Sequence, residues 1–309
     1  ITRRRLHMAV VGIPKTIDND INFVPKSFGF DTAVDVATTA LRCAHTEAIG
    51  APYGVGLVKL MGRESGFIAA SSTLSLNVVN FVLVPEAPFK LEGEGGLLPA
   101  LEKRLRERSH AVIVTAEGAG QDLLTASGKT DASGNRVLGD IGSFLQKAIK
   151  NYFAAKDMNV TVKYIDPSYI VRSMPANTND RVYCGQLGRN AVHAAMAGKT
   201  NMVVARMQDR FVHLPLQLVT RRRRKIDITS NYWRSVIATT GQTDEEKANV
   251  EVADFGQRQG IHLALHDVEV LGVADVVEVV GYPWEIARVL EQRKQREEYR
   301  HRRQHDRNH

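Results

Sequence analysis

Short apolar runs that stop on polar residues, each followed by a helical pattern, constrain this chain more than any other feature. Val55–Leu60, Val79–Val84, Ala111–Thr115 and Val160–Ile165 are such runs. Between them, Gly66–Leu76 is a helical stretch rich in small residues. Gly96–Arg108 sets Leu97, Leu98, Leu101 and Leu105 at helical spacing, and Ile141–Phe153 continues the alternation. Repeats of buried strand and amphipathic helix predict an α/β fold with mostly parallel strands. Met8–Val11 reads as one more short buried strand, Asn179–Ala197 as a long helix closed by Gly198, and Ser127–Asn135 as a polar surface loop.

Composition narrows the class. Of the 309 residues 43% are apolar, enough for a sizeable core in one large or two ordinary domains. No uninterrupted apolar run reaches the roughly 18 residues of a membrane span, so no membrane partner is expected. Ile1–Arg5 lacks the apolar segment of a signal peptide and an initiator Met, which suggests a fragment of a longer protein. Two cysteines, Cys43 and Cys184, form neither a disulfide framework nor a metal spacing, and a reduced, cytoplasmic protein is the default. The net charge of +7 would suit nucleic acid or a phosphorylated small molecule. It is clumped in Arg3–Arg5, Arg221–Lys225 and the stretch after Arg288, and the first two clumps have few aromatics for base stacking nearby. No nucleic-acid partner is expected.

The chemistry concentrates where apolar runs end. Gly12-Ile13-Pro14-Lys15-Thr16-Ile17-Asp18-Asn19-Asp20 follows the first of them. Pro14 blocks a helix there, so a cation, a hydroxyl and two carboxylates crowd a strand end, the edge at which parallel sheets bind ligands. Asn-Asp pairs are also ordinary turn formers. Lys59-Leu60-Met61-Gly62-Arg63-Glu64-Ser65-Gly66 closes a strand and opens a helix with two glycines, letting backbone N–H groups and a guanidinium approach an oxyanion. Glu117-Gly118-Ala119-Gly120 sets a carboxylate on a turn. Lys163 to Arg172 spaces a cation, a phenol and an arginine, and Arg181 opens the next helix. Together these stretches offer a base, an acceptor for sugar hydroxyls and several cations for phosphate.

In that order, PKTIDND, MGRESGF, AEGAGQ and YIDPSYIVR resemble the motifs of the 6-phosphofructokinases, in particular the plant and bacterial branch related to the pyrophosphate-dependent enzymes. The resemblance runs over roughly Leu6–Gln242. It implies two Rossmann-like three-layer αβα domains and phosphoryl transfer to the 1-hydroxyl of fructose 6-phosphate. It implies Asp18 as the general base, Lys15 as a charge-neutralising cation, and Arg63 as a brace on the transferring phosphoryl group. Thr16, Ile17, Met61 and Gly62 would contact substrate, and Glu117, rather than Glu86, would bind the sugar. Tyr169 and Arg172 would hold the 6-phosphate, and Lys163 stands where relatives have an arginine reaching from a neighbouring subunit, so a homo-oligomer is implied. Asp20 would lie near Mg²⁺, with ATP or pyrophosphate as donor.

The family's glycine-rich donor loop lies upstream of the position of Gly12, and Gly93-Glu94-Gly95-Gly96, which opens a Leu-rich helix, does not replace it. The expectation is therefore an N-terminally truncated member whose first domain is incomplete and whose main Mg²⁺ ligand precedes residue 1. The expected domains are a donor-domain remnant (1–50), a fructose 6-phosphate domain (51–178), a return segment (179–242) and an unassigned extension (243–309). Gly54 falls where bacterial ATP enzymes carry a second intersubunit arginine. Three rivals remain open: a kinase for another sugar phosphate, a non-catalytic regulatory subunit that binds the sugar phosphate, and a basic nucleic-acid binder.

Overall fold

A computed structural model describes residues 8–124, 130, 134 and 137–242. Arg3–Arg5, nearly all of the 127–135 loop, and the extension 243–309 lie outside the described residues. The described elements are β1 (Val11–Gly12), α1 (Phe30–Ile49), β2 (Gly54–Leu60), α2 (Phe67–Ser75), β3 (Phe81–Leu83), α3 (Leu97–Arg108), β4 (His110–Ala116), α4 (Ile141–Ala154), β5 (Thr161–Ile165), α5 (Ser168–Ser173), α6 (Thr178–Met196), β6 (Met202–Met207), β7 (Arg210–Pro215), α7 (Leu216–Thr220) and α8 (Asn231–Thr240).

The apolar runs form a four-stranded parallel sheet in the order β3-β4-β2-β5. Buried on both faces, β2, β3 and β4 need no polar alternation, whereas edge strand β5 exposes Lys163. On one face Val58, Leu60, Val112 and Val114 pack with Ala37 and Leu41 of α1, Ile68 of α2 and Trp233 of α8. On the other, Val55, Leu57 and Ile113 pack with Leu98 and Leu101 of α3 and Leu145 and Ile149 of α4. A second sheet runs β1-β6-β7, with β1 parallel to β6 and β7 antiparallel to it. The β6–β7 turn uses Gln208 and Asp209 at φ 46 and 62, the pair of positive values a tight hairpin requires. Leu187 and Ala194 of α6 cover one face of this sheet. Val24 of the Pro14–Ser27 loop and Val219 of α7 cover the other.

Two features differ from the sequence expectation. The first strand is Val11–Gly12 alone, with Met8 and Val10 exposed, because β1 is an edge strand paired only with β6. The longest of the described helices, α1, carries no run of large apolar residues. Its buried stripe is Thr32, Ala33, Ala37, Leu41, Ala44 and Ala48, spaced as a helix but small, so a count of bulky residues passes over it. The small stripe lets β2 come close: a Cβ on Gly54 would stand 2.1 Å from the Ala48 carbonyl oxygen. No side chain fits at that position unless the Ala48 backbone shifts. α1 begins at Gly29 without a side-chain cap of its own. Buried Asp180, in the first turn of α6, accepts from the Thr32 N–H (2.8 Å) and hydroxyl (2.5 Å) and complements the positive end of the α1 dipole.

Glu86 plays a comparable part elsewhere. Its carboxylate accepts from the Gly66 N–H at the start of α2 (3.1 and 3.0 Å) and from the Ile226 N–H (2.9 Å). Burial pushes its pKa up while these backbone donors pull it down. Glu86→Ala leaves both donors unmade and should lower unfolding stability by about 1–3 kcal/mol in urea titrations, with Glu86→Gln recovering part of the loss.

Candidate active site

The Pro14–Ser27 loop is built by its own polar side chains. Phe28 N–H donates to the Pro14 carbonyl (3.1 Å), and Lys15 and Phe28 form a parallel bridge. Asn19 sits at φ 55, a conformation that Asn tolerates better than most residues. From there its side-chain oxygen accepts from the Ser27 N–H (2.9 Å) and its amide donates to the Pro25 carbonyl (3.2 Å). The Ser27 hydroxyl donates to the Thr16 carbonyl at 2.7 Å. Thr16 accepts the Asp18 N–H on its hydroxyl (3.2 Å), and the Ser65 hydroxyl donates to the Asp18 carbonyl (3.2 Å).

This scaffold leaves the Asp18 carboxylate in a half-buried position with Oδ1 out of solvent and without a hydrogen-bond partner. Burial raises its pKa from 3.8 to about 6, and the charges of Asp20 and Glu117 push the same way. Arg223 and Arg63 oppose the shift. A buried acceptor with no donor, faced by two guanidinium groups, is poised to receive a proton or bind a hydroxyl.

The second component comes from the ends of β2 and β4, whose pairing carries on past Leu60 and Ala116. Glu117 N–H donates to the Leu60 carbonyl (2.9 Å) and Gly118 N–H to the Gly62 carbonyl (3.0 Å). A Cβ on Gly118 would lie 2.0 Å from the Arg63 carbonyl oxygen, so only glycine lets the two turns meet. Burial raises the Glu117 pKa, against the pull of Arg63, Lys59 and the Gly62 backbone. Met61 and Ile17 are half-buried and pack against the core beneath.

Asp18, Arg63 and Glu117 thus come together, with Thr16, Ile17, Met61 and Gly62 beside them. Asp20 is 7% exposed, and its Oδ2 receives the Arg223 guanidinium at 2.5 Å. Among the described residues no group of three His, Cys, Asp or Glu side chains is placed to hold a metal. Lys15 is exposed on the loop. Lys163 is exposed on edge strand β5, 3.4 Å from Glu47 of α1, and among the described residues no contact ties it to the Asp18 group. Tyr169 (76% exposed) and Arg172, stacked 5.0 Å over its ring, stand on the outside of α5 at the same end of the sheet, also without contact to Asp18.

Arg223 and Arg224 have roles that composition hides. Arg224 N–H donates to the Asp20 carbonyl (2.7 Å), and its guanidinium donates to the carbonyls of Pro25 (2.7 Å), Val24 (3.3 Å) and Asn19 (3.4 Å). It also stacks 4.4 Å over Phe67. Two residues of a five-residue basic run that reads as a charge clump are therefore built into the loop carrying Asp18. The periodic signal that could have found it is Ile226, a buried anchor directly after the run.

Comparison with known proteins agrees with this architecture. A family model described as phosphofructokinase matches residues 1–195. An ATP-dependent 6-phosphofructokinase of Borreliella burgdorferi is 52% identical over 249 residues, 78% of this chain and 56% of its own length. One from Amycolatopsis methanolica is 50% identical, over 79% of this chain and 55% of its own. ATP-dependent 6-phosphofructokinase 1 of Arabidopsis thaliana is 49% identical, over 78% and 52%. The chain spans about half the length of these curated relatives. Among solved structures, a pyrophosphate-dependent phosphofructokinase from Marinobacter aquaeolei superposes with a TM-score of 0.58 at 20% identity, over 81% of this chain and 64% of that one. A phosphofructokinase from Pichia pastoris gives 0.54 at 19%, over 80% and 26%. The α/β architecture is thus that of the phosphofructokinase fold, and the chain belongs to the phosphofructokinase family.

Proposed function

We propose that the chain carries the sugar-phosphate side and the general base of a 6-phosphofructokinase, which moves a phosphoryl group to the 1-hydroxyl of fructose 6-phosphate. The observation that carries this reading is the buried, unpartnered Asp18 carboxylate oxygen facing Arg63 at the ends of parallel strands. Phosphoryl transfer asks a protein mainly for positioning and charge neutralisation. Asp18 would take the hydroxyl proton; a base with a pKa near 6 is ionised at neutral pH yet still basic enough to accept it. Arg63 would offset charge on the transferring group, Glu117 would accept a sugar hydroxyl, and Tyr169 and Arg172 would meet the 6-phosphate. Lys15, exposed on the loop, is free in space to approach the donor phosphates.

ATP is the donor this reading favours, because the curated relatives from Borreliella burgdorferi and Amycolatopsis methanolica carry ATP-dependent names. Mg²⁺ typically binds through one or two carboxylates plus substrate phosphate oxygens. Asp20 beside the orphaned Asp18 oxygen fits that donor set and would hold the ion, which would neutralise donor phosphate charge. A homo-oligomer and a cytoplasmic setting belong to the same reading. The first draws support from Lys163 standing exposed on the sheet edge, the second from Cys43 and Cys184 being unbridged. Two separate sheets, one holding β1 with β6 and β7, support a division into two domains, although α1, before Gly50, and α8, after Asn179, both pack on the four-stranded sheet.

The test is a coupled assay of the full-length gene product with fructose 6-phosphate, Mg²⁺ and either ATP or pyrophosphate. Calorimetric titration of this chain with fructose 6-phosphate accompanies it. Turnover with ATP supports the reading. Binding without turnover under any donor would instead favour a regulatory subunit, and turnover of a different sugar phosphate alone would overturn the substrate.

A further inference from the structure

Lys59 is the one charged side chain within β2, the strand flanked by β4 and β5 at the centre of the four-stranded sheet. Strand parity places it on the face of Val55 and Leu57, toward α4, and its side chain is only 15% exposed. A lone ammonium there would be unfavourable, and two carboxylates meet it. Asp166 Oδ2 lies 2.8 Å away, one register step beyond the Val58–Ile165 pair of β2 and β5. Asp140 Oδ1, at the N-cap of α4, lies 3.5 Å away. Burial works against the Lys59 charge, yet the hydrogen bond to Asp166, with Tyr164 and Asp140 nearby, holds its pKa above the ordinary lysine value.

The second oxygen of Asp166 is committed as well. Its Oδ1 accepts from the Ser168 N–H (3.1 Å) and hydroxyl (2.5 Å), pinning the first residue of α5. That helix is only six residues long and carries Tyr169 and Arg172. Such a short helix has little intrinsic stability and needs outside contacts to keep its orientation. Two residues beyond Lys59, β2 leads into Met61, Gly62 and Arg63, and Lys59 also faces Glu117.

We infer that Lys59 is a positioning residue for the sugar-phosphate half of the site: through Asp166 its ammonium holds the start of α5 against the end of β2. It thereby fixes Tyr169 and Arg172 relative to Arg63 and Glu117. This rests on the phosphofructokinase reading for the identity of the ligand, but not for the clamp itself. Lys59 touches no reacting atom.

Lys59→Met keeps the packed stem and removes the charge, whereas Lys59→Arg keeps the charge. In this chain, hydrogen exchange of the α5 amides, Val171 N–H to Pro167 O among them, should quicken about tenfold in Lys59→Met, with β4 amides unchanged and Lys59→Arg close to the parent. Calorimetric titration with fructose 6-phosphate should show about tenfold weaker binding for Lys59→Met and for Asp166→Asn. The double variant should be no weaker than either single one, because the pair acts as a unit. Unchanged α5 exchange, or losses in the two variants that simply add, would overturn the clamp. A parent chain that ignores fructose 6-phosphate would instead sink the phosphofructokinase reading, and the exchange result would then decide the clamp alone.

Discussion

Asp18→Asn should abolish nearly all turnover and at the same time make the protein more stable. Loss of the proposed general base is expected to lower kcat of the full-length protein by about 10²–10⁴-fold. Affinity for fructose 6-phosphate should change little, since Asn keeps the shape and one acceptor. Stability moves the other way because the folded pKa, about 6, lies above the ordinary 3.8. Between those values the folded state holds a proton that the unfolded state has released. The penalty from Asp18 is therefore absent below about pH 4, grows through that window and is complete above about pH 6. Removing the charge should return on the order of 3 kcal/mol at pH 7 and nothing at pH 4, read from urea unfolding at the two pH values. In the parent enzyme the same group should give kcat/KM an acidic limb that rises through about pH 6. Asp20, Glu117, Arg63 and Arg223 all face this carboxylate, so Arg223→Ala should move the limb upward by removing a cation that now opposes the shift. A turnover number left intact by Asp18→Asn would exclude this carboxylate as the base. A stability gain equal at both pH values would exclude its burial as the cause of the shift.

What the sequence made legible was set by locality. Arg63 and Glu117 each lie within three residues of the ends of β2 and β4, and parallel strands of one sheet bring their C-terminal ends together whatever the details of packing; Asp18, beyond β1 of the other sheet, is legible only from the polar cluster that follows Pro14. Arg223 and Asp20 are 203 residues apart, and nothing local distinguishes Arg223 from Arg221 in a run that looks solvated. Only the antiparallel bridge between Ile21 and Arg223 reveals which arginine turns inward. The resemblance picks Glu117 rather than Glu86 as the sugar ligand, and the Glu86 carboxylate is indeed consumed by two backbone N–H groups. Lys163 shows a subtler limit. A period of two assigns Lys163 and Tyr164 to opposite faces, and Tyr164 is the one on the Lys59 side, with its hydroxyl 3.4 Å from Asp140. That parity was present in the residues, whereas the edge position of β5, which leaves Lys163 in solvent beside Glu47, was not. α1 was hidden for another reason: close approach to β2 selects alanine, and a stripe of alanines carries helical spacing without hydrophobic weight.

The turn that brings Arg63 and Glu117 together is sensitive to a single methyl group. At Gly118 a Cβ would stand 2.0 Å from the Arg63 carbonyl oxygen, 2.7 Å from its carbon and 3.1 Å from the Gly62 carbonyl oxygen. All three are backbone atoms, so no side-chain rotation relieves the contact; one turn must withdraw from the other. Withdrawal breaks the Gly118 N–H bond to Gly62 and strains that of Glu117 to Leu60, the two bonds that extend the β2–β4 register into the site. Gly118→Ala should therefore destabilise the chain by about 1–3 kcal/mol, the usual range for overpacking, measured as a fall in the urea midpoint at constant slope. Function should suffer beyond that. If Arg63 and Glu117 act as proposed, a displacement near 1 Å between them can cost on the order of 10²-fold in rate. The comparison that isolates geometry is Gly54→Ala, at the opposite end of β2 from the site. There the added Cβ meets the Ala48 backbone, 2.1 Å from its carbonyl oxygen, at the end of the strand remote from the β2–β4 turn. Gly54→Ala should lose stability without the matching loss of turnover. Equal losses of turnover in the two variants at matched stability would mean that the Arg63–Glu117 spacing does not set the rate, and the site would need a different centre.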